Sequence, residues 1–147
     1  NDNQIEQSLS NFVNALYIYS KENESEYSGL NFSNYHQIKS YIENHIYDKF
    51  SLEELSKLAN INKFGFSKKF KALTGMTPMN YVLTRKIFSS KKLIKSNLEL
   101  SEIAYQYNFT DVAHYSKTFK RFIGVSPKKY QEIVDLLNSP FLLVGCN

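Results

Sequence analysis

The chain has 147 residues, a formal net charge of +4, 42% hydrophobic residues and 15% aromatic ones, enough apolar material for one buried core and a tail. Its single cysteine, Cys146, excludes an intrachain disulfide and suits a reducing compartment, the cytoplasm. No run of about 18 apolar residues predicts a membrane span, and no basic-then-apolar start predicts a signal peptide; the first residue is Asn1, so the chain reads as a piece of something longer.

The charge is unevenly spread: residues 1–30 carry −4, residues 31–130 carry +10 and residues 131–147 carry −2. That is the footprint of a polyanion binder, although solvated lysines on helix faces would give the same count.

Taken in chain order, Ile5, Leu9, Phe12, Val13, Leu16 and Tyr17 form the apolar stripe of an amphipathic helix over residues 5–20. It dominates a segment 1–21. Residues 22–33 are polar and acidic and read as a linker. The predicted folded domain covers 34–138. It opens with a helix from Ser33 or Asn34, with Ile38, Tyr41, Ile42, His45 and Ile46 on one face. Ser51 is a good N-cap for a helix over 52–59, with Glu54 placed to complete a capping box. Asn60 follows, in a turn that needs a left-handed residue. A helix over 63–73 stops at Gly75, and Pro78 starts the next.

That next helix is a connector of about 17 residues, roughly 25 Å long. Its pattern puts Tyr81, Val82, Ile87, Ser90, Leu93 and Ile94 inward and Arg85, Lys86, Lys91, Lys92 and Lys95 outward. Then the pattern repeats. A short helix begins at Leu100, Asn108 takes the turn, a helix runs over 111–123 to Gly124, and Pro127 starts a last helix to about Leu137. Ser139-Pro140 stops it, and Phe141-Leu142-Leu143-Val144 lies in an apolar tail, 139–147. No alternating segment supports a strand, so the predicted fold is all-α: about seven helices in the domain and one before it.

The repeat is the most informative feature. From Leu52/Leu100 to Ile61/Phe109 the offset is 48; from Ser67/Ser116 to Tyr81/Tyr130 it is 49. The extra residue falls between the two apolar blocks of each unit, where a turn belongs. A duplicated helix-turn-helix is the simplest object that fits, and two of them on one basic chain point to DNA. Such a motif lays its second helix in the major groove. Phe66 and Phe70 in the first unit, and Tyr115 and Phe119 in the second, take the core face. The opposite face carries Lys63, Phe64, Ser67, Lys68 and Lys71 in the first unit and Val112, Ala113, Ser116, Lys117 and Lys120 in the second. These are the base-contact candidates. Lys donates to guanine or phosphate, Ser serves base or backbone, and Phe64, Val112 and Ala113 suit thymine methyl groups. Phe64 has an alternative role as a core aromatic. Lys91, Lys92, Arg121, Lys128 and Lys129 are the phosphate-contact candidates that would set register.

Ile103-Ala104, Asn108-Phe109-Thr110-Asp111, Tyr115-Ser116-Lys117-Thr118-Phe119-Lys120, Gly124-Val125-Ser126-Pro127 and Tyr130 together resemble the signature of the AraC/XylS family of bacterial transcription regulators. The resemblance covers roughly residues 34–132. It implies seven helices, two helix-turn-helix units joined by a long helix, and binding to adjacent major-groove segments on one DNA face, most often as an activator. Three positions depart from the family pattern: Asn108 stands where Gly is usual, and Lys86 and Lys117 where Arg is usual. The two lysines lose the bidentate guanidinium fork. Family members often carry a separate effector or dimerisation domain ahead of this one. Residues 5–20 are then its last element, a dimerisation helix that would make a homodimer, or a connector from a sensor.

Other chemistry finds no support. His36, His45, His114 and Cys146 share no metal-ligand spacing, no glycine-rich phosphate loop exists, and no catalytic constellation suggests itself. The expectation is a non-enzyme without cofactor or metal whose partner is double-stranded DNA, with RNA polymerase as a further one. Two rival readings stay open: a protein–protein adaptor with weak DNA binding, and an effector-gated module in which residues 1–30 or 139–147 mask the DNA face.

Overall fold

The computed structural model describes residues 32–95 and 98–139. The predicted helix over 5–20, with its dimerisation role, and the tail from Pro140 lie outside the described residues. Seven helices run through the described chain: α1 (Phe32–Asn44), α2 (Leu52–Leu58), α3 (Lys63–Thr74), α4 (Pro78–Ile94), α5 (Leu100–Gln106), α6 (Val112–Ile123) and α7 (Pro127–Leu137), with no strand among them. The all-α, double helix-turn-helix expectation is met, with α1 starting at Phe32 rather than Ser33 or Asn34.

The repeat is one of geometry as well as sequence. In each unit the first helix ends in a left-handed asparagine, Asn60 at φ 54° and Asn108 at φ 56°. Ile61 and Phe109 then donate back to the carbonyls of Ser56 and Ala104 at 3.1 and 2.9 Å. The second helix is capped by Asn62 through the Gly65 amide (2.8 Å) and by Asp111 through the His114 amide (2.6 Å). These caps stand 49 residues apart and the turn asparagines 48, so the extra residue of the second unit is Thr110. Gly75 and Gly124 close the second helices at φ 81° and 95°, which an L side chain would strain. Thr77 and Ser126 cap the third helices ahead of Pro78 and Pro127.

Core packing repeats too. Phe66 and Phe70 meet at 5.6 Å and 54°, as Tyr115 and Phe119 do at 5.9 Å and 54°. The third helix adds Tyr81 to Phe70 at 5.4 Å and Tyr130 to Phe119 at 5.5 Å. Four-residue spacing places each pair on one helix face, and the tilted rings add to the burial that drives packing. Phe66, Phe70, Tyr115 and Phe119 are fully buried.

Two expectations are corrected. Lys86 does not face outward: it is 4% exposed. Its ammonium donates to the carbonyls of Asp48 (2.6 Å) and Tyr107 (2.7 Å) and lies 5.5 Å from the Phe50 ring centroid. Periodicity assigns a lysine outward by default, but two converging carbonyls and an aromatic face make a buried seat. The box at Ser51 is half made. Ser51 accepts from the Glu54 amide at 3.1 Å, while the Glu54 carboxylate takes the Tyr41 hydroxyl at 2.6 Å. That bond ties α2 to α1.

Candidate nucleic-acid interface

The helices that present the site are α3 and α6. Each begins at a side-chain cap, so its first turn carries oriented amides and the positive end of the helix dipole. Neither helix contains an acid; α3 carries four lysines, and α6 carries Lys117, Lys120 and Arg121. With one face fixed in the core by paired aromatics, the opposite face must meet solvent.

In the first unit Lys63, Lys68 and Lys71 are exposed and Ser67 is half-buried. Phe64 is 87% exposed, so its alternative role as a core aromatic is excluded. In the second unit Ala113, Lys117 and Lys120 are exposed, Val112 is partly exposed, and Ser116 is half-buried. All ten base-contact candidates thus lie away from the core on the two second helices.

The phosphate-contact candidates divide. Lys92 and Lys128 are exposed on α4 and α7. Lys129 is exposed but pairs with Glu132 at 3.1 Å, an exposed pair of small energetic weight. Lys91 is half-buried, its ammonium 5.3 and 5.4 Å from the ring centroids of Phe88 and Tyr130. Arg121 lies at the C-terminal end of α6, its guanidinium 4.6 Å from the Phe122 ring and bonded to Asn80 Oδ1 at 3.3 Å.

That last bond closes one side of a shallow groove between the start of α4 and α6, whose lining includes Leu83, His114, Lys117 and Arg121. Sequence spacing gives His114 no metal-ligand role, yet it lines this groove. It is exposed in the first turn of α6, its ring edge-on to Phe109 at 5.4 Å. The available signal was its place one helical turn before Lys117.

α6 is fixed from behind. Burial pushes the Tyr115 hydroxyl up to about 12, and that hydroxyl meets Ser90 Oγ of α4 at 2.9 Å. The Tyr107 hydroxyl likewise meets Ser89 at 2.9 Å. Among the described residues, no group of three or more His, Cys, Asp or Glu could hold a metal ion, and no helix is long and apolar enough to cross a membrane.

A family profile described as "Helix-turn-helix domain" matches residues 55–133, from within α2 to within α7. The chain belongs to the AraC-type helix-turn-helix family. Among curated members, the probable transcriptional regulator LumQ of Photobacterium leiognathi is 37% identical over 95 residues, covering 64% of this chain and 38% of that protein. The HTH-type transcriptional activator AarP of Providencia stuartii is 28% identical over 96 residues, covering 65% of this chain and 71% of that protein. The MmsAB operon regulatory protein of Pseudomonas aeruginosa is 29% identical, with 66% of this chain and 32% of that protein covered. The chain therefore spans under half the length of several of its relatives. Among solved structures, the C-terminal domain of the response regulator yesN from Fusobacterium nucleatum superposes with TM-score 0.62 at 29% identity, covering 67% of this chain and 98% of that one. The DNA-binding domain of AdpA, crystallised with a target DNA, superposes with TM-score 0.65 at 21% identity over 70% of this chain and 94% of that one, a likeness of fold.

Proposed function

We propose that the chain reads two adjacent major-groove segments of one duplex through α3 and α6. It is a sequence-specific, double-stranded DNA-binding module of a bacterial transcription regulator. The observation that carries the two-segment reading is the duplicated second helix. Each copy is seated by a buried aromatic pair, and each turns a face of Lys, Ser and apolar side chains without a single acid to solvent. Ordered DNA readers bring their recognition helices about 34–36 Å apart to meet one side of the duplex. One chain carrying both helices has no need of a partner copy for an asymmetric two-box site.

Within this reading Lys63, Phe64, Ser67, Lys68 and Lys71 address one box, and Val112, Ala113, Ser116, Lys117 and Lys120 the other. Lys92, Lys128 and the capped starts of α4 and α7 hold phosphates, helped by Lys91, Lys129 and Arg121. The module covers residues 34–138, works by binding alone in the cytoplasm, and serves an activator whose further partner is RNA polymerase; the activator name of the Providencia relative supports that direction. The exposed Lys63, Lys68 and Lys117 disfavour the adaptor reading, which gives such lysines no task.

Selection from a random duplex pool at near-physiological salt tests this. Two short boxes about one helical turn apart support the proposal. A single box means that one unit only grips the backbone, an inverted repeat means that the chain dimerises, and no enrichment overturns the reading.

A further inference from the structure

Two helix-turn-helix units on one chain can hold two boxes to one spacing and helical phase only if their relative pose is fixed. A continuous helix α4 fixes distance but leaves each unit free to rock about its contacts. Besides the bonds that seat α5 and α6 on α4, one set of contacts runs from loop to loop and converges on one place. The loop between α1 and α2, in the first unit, presents the carbonyls of Tyr47 and Asp48. The turn after α5, in the second unit, presents the carbonyl of Tyr107 and the side chain of Asn108.

The Lys86 ammonium, on α4, donates to one carbonyl from each side, Asp48 at 2.6 Å and Tyr107 at 2.7 Å. The Asn108 Nδ2 crosses directly from the second unit to the Tyr47 carbonyl at 2.7 Å, and the rings of Tyr47 and Tyr107 meet at 4.9 Å. Asn60, the repeat mate of Asn108, shares its left-handed backbone, yet its side chain makes no hydrogen bond among the described residues. The Asn108 amide therefore serves the joint rather than the turn. A buried ammonium held by carbonyls is a costly way to fill space, and directional bonds of this kind trade stability for a single geometry. An apolar side chain at Lys86 would let the two loops slide.

We propose that Lys86 and Asn108 form a joint that sets the spacing and helical phase of the two DNA boxes one chain accepts. They act as positioning residues and touch no base. The inference rests on the two-box reading above.

The test uses the selected duplex and a panel in which the spacer between boxes is shortened or lengthened by one or two base pairs. Each base pair moves the second box by about 3.4 Å and about 35°. The wild type is expected to prefer one spacing by about tenfold or more, the scale of a lost base contact. Lys86→Met keeps an unbranched side chain one atom shorter and removes both bonds. Asn108→Gly removes the amide while keeping a residue at ease at positive φ, so it carries the decision if Lys86→Met fails to fold. In both variants the preference should shrink to about threefold or less, with binding to a single-box duplex unchanged. Variants that keep the wild-type spacing profile overturn the joint and leave two-box reading intact. A wild type indifferent to spacing overturns both.

Discussion

The Tyr115 hydroxyl donates to Ser90 Oγ across the interface between α6 and α4. The two oxygens are 2.9 Å apart, and both residues are fully buried. The direction follows from Ser90, whose one hydroxyl proton is already given to the Ile87 carbonyl at 2.8 Å. The bond sits directly behind the exposed face of α6, so it orients the proposed reading helix.

The two truncations of this pair should therefore be unequal. Tyr115→Phe removes the donor and leaves Ser90 bonded, at a cost of about 1 kcal/mol. Ser90→Ala strands a buried phenol hydroxyl and should cost about 1–3 kcal/mol. Urea unfolding of both variants measures the difference; equal losses would reverse the assigned direction.

Lysines on the reading helices and at the start of α7 should separate by selectivity. Lys68→Ala or Lys117→Ala should weaken binding to the selected duplex by about 1–3 kcal/mol and to random DNA by less. Lys128→Ala should weaken both alike and make the salt slope shallower by about one. Titrations at several salt concentrations decide it. Equal losses on both DNAs for Lys68 or Lys117 would make them phosphate contacts.

Phe64 offers only an apolar surface at the start of α3, and the one apolar group on a major-groove base edge is the thymine methyl. Replacing thymine by deoxyuridine across the first box should weaken wild-type binding several-fold, on the order of 1 kcal/mol for one methyl. Phe64→Ala should bind both duplexes equally. A wild type blind to the methyl groups would remove Phe64 from base reading.

Stability should depend on pH through Lys86. Burial pushes its ammonium down to about 8, against the pull of the nearby Asp48 charge; in the unfolded chain it titrates near 10.4. Between these values the unfolded state binds more protons, so stability rises with pH from about 8 toward about 10. Above about 10 the buried Tyr107 and Tyr115, both pushed up to about 12, reverse the trend, because the unfolded tyrosines ionise first. Denaturant unfolding across this range should show the rise in wild type and not in Lys86→Met. Parallel curves for the two proteins would mean that the buried amine does not titrate there.

Local chemistry is what the sequence by itself determined. Four-residue aromatic spacing, left-handed asparagines, helix-closing glycines and prolines at helix starts each act within a few residues. A repeat at 48–49 residues states each of them twice. Because the core side of α3 and α6 is named by Phe66, Phe70, Tyr115 and Phe119, the outward face with its base-contact candidates followed as the remainder.

Only the tertiary structure decided groups whose environment comes from far along the chain. Lys86 faces carbonyls 38 and 21 residues away, so its periodic position says outward while its partners hold it in. Glu54 gives up its capping role to Tyr41, 13 residues back. Arg121 reaches Asn80, 41 residues away, and so lines a groove with His114. Phe64 has two local readings, base contact and core aromatic, and packing alone left its ring in water. Short-range backbone preference wrote the helices and the exposed faces of α3 and α6. The directional bonds that tie one unit to the other join residues far apart in the chain, and sequence spacing does not encode them.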